Sequence, residues 1–232
     1  MMQLHGEILT REDLRRRSGQ LAAFGGVRLM ELADGPERGI RVLEFRTGTG
    51  LRFTVAVDRA MDIAEVEWRG ASLGWHGPSG LRHPALHEPE GEAGFGWARS
   101  FTGFLATCGL DHILRPEEVD ASHYGYPGIR TAKHGLHGRI ANIPARLTGY
   151  GETWEGDRCI LWAEGEVRQA TTFGEHLVLT RRIEADLDGR EIRLIDRVQN
   201  RGFQPTPHMF FYHVTPFRGL IIAAGQISFR VG

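Results

Sequence analysis

Cysteine is nearly absent from this chain: two residues in 232, Cys108 and Cys159. Neither has a CxxC partner, and two are too few for a disulfide framework, so both are expected as reduced core thiols. Long apolar runs are missing as well. Nothing approaches the ~20 residues of a membrane span. The first thirty residues carry Glu12, Asp13 and Arg15, Arg16 and Arg17, which excludes the apolar stretch of a signal peptide. The expectation is a soluble, cytoplasmic protein. Nor is there an excess of positive charge: the formal net charge is −1 with 25% charged residues. Nucleic acid and anionic membranes are therefore poor partners. Internal repeats, low-complexity tracts and a βαβ rhythm are also lacking, which argues against a doubly wound fold.

What the chain does have is glycine, 31 residues, and histidine, 11 residues. The glycines fit a fold with many turns. Thr10, with Asp13 three positions on, reads as a capping box that opens a short N-terminal helix ending before Gly19. Beyond it the period is mostly two. Leu51, Phe53, Val55 and Val57 alternate with polar or small residues, and Ala64, Val66 and Trp68 oppose Glu65 and Glu67. Strands are expected at 145–153, 158–169, 175–186 and 190–200, with Asp188-Gly189 as a two-residue hairpin turn. Residues 76–135 break the pattern, with a short strand or helix inside 97–107; a loop region of that length points to function. The expected architecture is all-β, an antiparallel sandwich of one domain over 1–232 with a short N-terminal helix.

Two stretches concentrate the chemistry: Lys133-His134-Gly135-Leu136-His137-Gly138-Arg139 and Pro207-His208-Met209-Phe210-Phe211-Tyr212-His213. Histidine moves protons near neutral pH. Prolines bound strands, so 207–216 holds one strand, with Met209, Phe211 and His213 on one face and His208, Phe210 and Tyr212 on the other. One histidine then lies among apolar neighbours, either as a core residue satisfied by backbone or as a proton donor beside an aromatic surface. His137 and Arg139, two apart, suit hydroxyl or carboxylate binding if they point the same way; the alternative is an exposed polar turn. Arg59 and Asp62 flank a tight link and read either as ligand contacts or as a surface ion pair. Asp111 is an isolated carboxylate. Metal binding by His134, His137 and His208 is a further alternative, although the spacings i,i+3 and i,i+5 do not match a helical ligand pair.

Four segments in order, Asp58-Arg59-Ala60-Met61-Asp62-Ile63, Cys108-Gly109-Leu110-Asp111, Gly135-Leu136-His137-Gly138-Arg139-Ile140 with Asn142-Ile143-Pro144-Ala145, and His208-Met209-Phe210-Phe211-Tyr212-His213, resemble an uncharacterised branch of the aldose 1-epimerase (galactose mutarotase-like) superfamily. The resemblance runs from about residue 10 to 214. It implies an antiparallel β-supersandwich with a sugar cleft, no cofactor and no metal, and acid/base opening of a sugar ring. It also implies roles: His213 as the acid, His137 as the second catalytic histidine, and Arg59, Asp62, Asp111, Arg139 and His208 as sugar contacts. The superfamily's base is a glutamate well beyond the acid, whereas residues 214–232 contain no Glu or Asp. The chain is therefore expected to lack its last strands. An open sheet edge would invite pairing with another chain, so a homodimer stands beside a small-molecule sugar as an expected partner. A non-catalytic carbohydrate-binding module and a metal-dependent sugar isomerase are the alternatives.

Overall fold

The computed structural model describes residues 1–216. The chain opens with a hairpin of β1 (Met2–Leu4) and β2 (Glu7–Leu9), then α1 (Arg11–Arg17). Thr10 caps α1 as expected: its hydroxyl accepts from Asp13 N, and the Asp13 carboxylate accepts from Thr10 N in return. Next come β3 (Gly26–Glu31), β4 (Arg41–Arg46), β5 (Leu51–Ala56), β6 (Asp62–Trp68), β7 (Ala71–Ser72) and β8 (Leu105–Leu110). A small hairpin follows, β9 (Glu117–Asp120) with β10 (Thr131–His134). The last strands are β11 (Arg146–Glu155), β12 (Arg158–Ala170), β13 (His176–Asp186), β14 (Arg193–Asn200) and β15 (Met209–Val214).

The strands form two antiparallel sheets around a common core. One sheet is the meander β11-β12-β13-β14; the other runs β15-β8-β6-β5-β4-β3, with β7 on the edge of β6. Leu43, Phe45, Phe53, Val55 and Ile63 from the larger sheet pack against Leu161, Ala163, Val167, Leu179 and Ile183 from the smaller. Phe45 stacks on Phe53 at 4.4 Å between centroids. The alternation at 51–57 and along the meander places these side chains on one face, and burying that face holds the sheets together. The all-β sandwich with a short N-terminal helix is the expected fold class.

Three local expectations are corrected. First, β8 overlaps the short element expected inside 97–107 only at its first three residues and runs on to Leu110, within the region taken as irregular. All six of its residues are buried, so it shows no polar face and therefore no period of two. Second, Asp188-Gly189 is not a two-residue turn. Register ends at Glu184–Arg193, leaving a wider connection, and neither residue has positive φ. Leu187 is pulled into the core instead, and Asp188 Oδ2 accepts from Gln3 N at 3.0 Å. Tertiary contacts outweigh local turn chemistry there. Third, Arg59 and Asp62 form no surface pair: both are buried and face different partners.

Arg181 on β13 is fully buried between the sheets. It donates to Asp62 on β6 (2.9 Å), to Asp196 on β14 (2.9 and 2.7 Å) and to the Ala60 carbonyl (3.1 Å). Thr107 of β8 donates its amide to Asp62 (3.0 Å), and Tyr212 of β15 donates its hydroxyl to Asp196 (2.7 Å). Burial pushes the Asp62 carboxyl up, against the pull of Arg181. Removing the one cation would strand two buried carboxylates. Arg181→Ala is therefore expected to cost about 3–5 kcal/mol in chemical denaturation, whereas Arg158→Ala, at an exposed pair, should cost under about 1 kcal/mol.

Candidate functional site

β15 alternates as its sequence demands. Phe210 and Tyr212 join the main core, while Phe211 and His213 face outward with Ala106 and Cys108 of β8. That outer face is roofed by a loop carrying Trp97 and Phe101 and by the turn carrying His137. His213 lies 4.6 Å from the Phe101 ring, 5.6 Å from Trp97 and 6.1 Å from His137, centroid to centroid. His137 meets Trp97 edge-on at 4.7 Å and Phe211 at 5.0 Å. The result is a pair of half-buried imidazoles in an aromatic frame. Nδ1 of His213 is buried and has no hydrogen-bond partner among the described residues. Burial pushes both histidines below their ordinary value, and for His137 the neighbouring His213 adds to the effect. Both are therefore neutral near pH 7, each with one nitrogen able to accept and one able to donate. Cys108, beneath them, is pushed up to about 12 by burial and stays a thiol.

The turn that presents His137 is strained. His137 has φ 61°, in the left-handed region, and Gly138 follows at φ 74°. The His137 amide donates to Leu114 O at 2.9 Å, and its carbonyl accepts from Gly109 N at 3.0 Å. A Cβ on Gly138 would press on the Gly109 carbonyl and stand 2.6 Å from that of His112. His137 and Arg139 consequently do not share a face. Arg139 is exposed and donates to Lys133 O at 2.8 Å.

Arg59 sits behind this site. Its guanidinium donates to the carbonyls of Ala141 (2.7 Å), Ser100 (3.0 Å) and Arg82 (3.1 Å). It thereby ties the Trp97–Phe101 loop to the segment after the His137 turn. Asp62 is engaged by Arg181 and Thr107. His208 is exposed, with Nδ1 3.2 Å from Leu110 O. Asp111 is 7% exposed in its side chain and lies 3.8 Å from Nδ1 of His134, whose ring stacks on His112 at 4.8 Å. Of the seven residues singled out from sequence, His137 and His213 come together; Asp111 and Arg139 lie beside His134; Arg59, Asp62 and His208 are held by backbone or buried partners.

Sequence reasoning passed over Trp97, Phe101, His112 and Glu175. The first two lacked periodicity, and a lone His112 carried no signal. Glu175 comes from the β12–β13 turn; burial pushes its carboxyl up and the nearby Asp111 adds to that. Among the described residues no three His, Cys, Asp or Glu side chains are placed to hold a metal ion, and no helix is long and apolar enough to cross a membrane.

This architecture is that of a galactose mutarotase-like β-sandwich. The chain superposes with a TM-score of 0.70 on a putative aldose 1-epimerase from Klebsiella pneumoniae, at 22% identity over 81% of this chain and 46% of that one. The Slr1438 protein of Synechocystis gives 0.53 at 15% identity, covering 81% of this chain and 58% of its own. A galactose mutarotase-like protein from Clostridium acetobutylicum gives 0.51 at 12% identity, covering 81% and 53%. The chain thus spans about half the length of these solved structures. Residues 37–223 match the family model described as a domain of unknown function, DUF4432, and the chain belongs to that family. Comparison with curated proteins finds no match.

Two outcomes are expected. Gly138→Ala should destabilise the fold by about 2–4 kcal/mol in thermal or urea unfolding, because both the φ and the space are wrong for a Cβ. The second concerns acid. His87 is pushed down to about 4 by burial, with Arg59 and Arg82 adding to it, and His134, His137 and His213 shift the same way. Their stabilising contribution is complete above the ordinary value of 6.5. Below it the unfolded chain binds protons that the fold refuses, so stability falls as pH drops toward about 4. Urea midpoints across that window should show the decline, and His87→Gln should flatten it.

Proposed function

We propose that this chain is a carbohydrate-binding, aldose 1-epimerase-like protein that opens a sugar ring by acid/base chemistry. The observation that supports it is the His137–His213 pair, neutral and held in an aromatic frame on a mutarotase-like fold. The fraction of His213 that has taken a proton from solvent gives it to the ring oxygen as the bond from that oxygen to C1 breaks, and returns to the neutral imidazole. A proton acceptor takes the anomeric hydroxyl proton, rotation about C1–C2 follows, and reclosure exchanges the anomers. Trp97, Phe101 and Phe211 give apolar surface of the kind a sugar's C–H face packs against. Arg59 acts as a positioning residue, since it holds both loops that carry the site. Asp62 serves the sheet pairing that supports β8 and β15. A small-molecule sugar is the proposed partner. A sugar-binding module without turnover is the second reading, favoured by the aromatic frame of Trp97, Phe101 and Phe211, which offers a stacking surface whether or not a proton moves.

NMR of freshly dissolved aldoses separates the two. Exchange faster than in buffer, lowered about 10²- to 10⁴-fold in His213→Ala, supports the enzyme. Exchange at the buffer rate across a broad aldose panel overturns it, and calorimetric sugar binding that survives His213→Ala would then favour the module.

A further inference from the structure

A second group of titratable residues lies outside the His137–His213 pair. β9 and β10 form a hairpin beside the loop 89–94, and between them is a cavity of about 370 Å³. Its wall includes His134, Lys133, Arg139, Glu90, Glu117 and Glu118. A cavity of that size is within the range of small-molecule sites. The spacing of its walls depends on small residues: a Cβ on Gly135 would stand 2.9 Å from the Pro89 carbonyl oxygen, and one on Gly94 would stand 2.7 Å from Pro116 Cβ.

Behind His134 lies Asp111. Its Oδ1 is buried with no hydrogen-bond partner among the described residues, and so is Nδ1 of His134. The closest approach of the two side chains is 3.8 Å, too long for a hydrogen bond, and both are more than nine-tenths buried. A buried carboxylate without a donor is costly. Asp111 Oδ2, the other oxygen of that carboxylate, lies 3.8 Å from the inner nitrogen of an imidazole that lines a cavity. A carboxylate on the Nδ1 side favours the tautomer with the proton on Nδ1. The lone pair is then on Nε2, where it can accept from a hydroxyl.

The charges select the ligand further. Two cations, Lys133 and Arg139, stand in a wall that also carries three carboxylates, Glu90, Glu117 and Glu118. A phosphate or a carboxylate on the ligand would meet a net negative field.

We propose that this cavity is a second ligand site, for a neutral monosaccharide, in which His134 accepts a hydrogen bond from a sugar hydroxyl and Asp111 is the positioning residue that sets its tautomer. The choice of a sugar rests on the carbohydrate reading above; the site itself rests on the orphaned Asp111 and His134 atoms and the cavity they back.

The test is a titration of the ¹⁵N-labelled full chain, following histidine side-chain nitrogens by long-range ¹H–¹⁵N NMR. His134 should report the Nδ1–H tautomer. D-galactose or D-glucose should shift its Nε2 resonance, and galactose 6-phosphate and galacturonate should bind at least tenfold more weakly. His134→Gln should weaken galactose binding at least tenfold, and Asp111→Asn should move the proton to Nε2. No shift at His134 with any sugar overturns the proposal without the aid of a variant, as does equal or tighter binding of the charged sugars. Anomer exchange lost in His213→Ala with no response at His134 would sink this inference alone. A His134 response with no anomer exchange would sink the ring-opening reading alone.

Discussion

The buried guanidinium of Arg181 is the interaction on which the rest of the structure depends. It lies between the sheets and neutralises two carboxylates that would otherwise be isolated in the core. Through them it reaches β6, β8, β14 and β15. Its worth is chiefly in register rather than in net stability, because desolvation offsets much of the Coulombic gain. An apolar core tolerates a strand sliding by two residues; a bidentate Arg–Asp pair does not.

That constraint passes directly to the site through the period of the strand. Tyr212 points inward and is tied to Asp196, so Phe211 and His213 must point outward. Thr107 points inward to Asp62, so Ala106 and Cys108 form the floor beneath the aromatic frame. Arg59 does the same for the roof by holding three backbone carbonyls. Burial between such a floor and roof disfavours the charged form of both histidines. The Asp111–His134 pair is built differently, with a carboxylate behind the imidazole and charged groups before it.

Much of this was readable in advance. The capping box at Thr10 and Asp13, the alternation of Leu51, Phe53 and Val55, and the meander strands are local patterns, and local physics decided them. The faces of β15 followed from proline boundaries and a period of two. β8 was readable only as a short element of undecided type inside 97–107, because burial on both faces removes the polar alternation that marks a strand. The turn at Asp188-Gly189 misled, because the fold found a better use for Leu187 in the core.

The sequence by itself determined the class of fold, the helix and its cap, the two reduced thiols and the two histidine-bearing segments, since each depends on residues near one another in the chain. Tertiary structure alone decided which histidines meet. His137 and His213 are 76 positions apart in number, and only the β8–β15 pairing and a left-handed turn bring their rings within 6.1 Å. It decided too that the side chains of Arg59 and Asp62, three residues apart, make their hydrogen bonds to other groups, although each still feels the other's charge. Their charges are satisfied by groups from distant strands and loops, and no local rule specifies which distant group will be buried beside them.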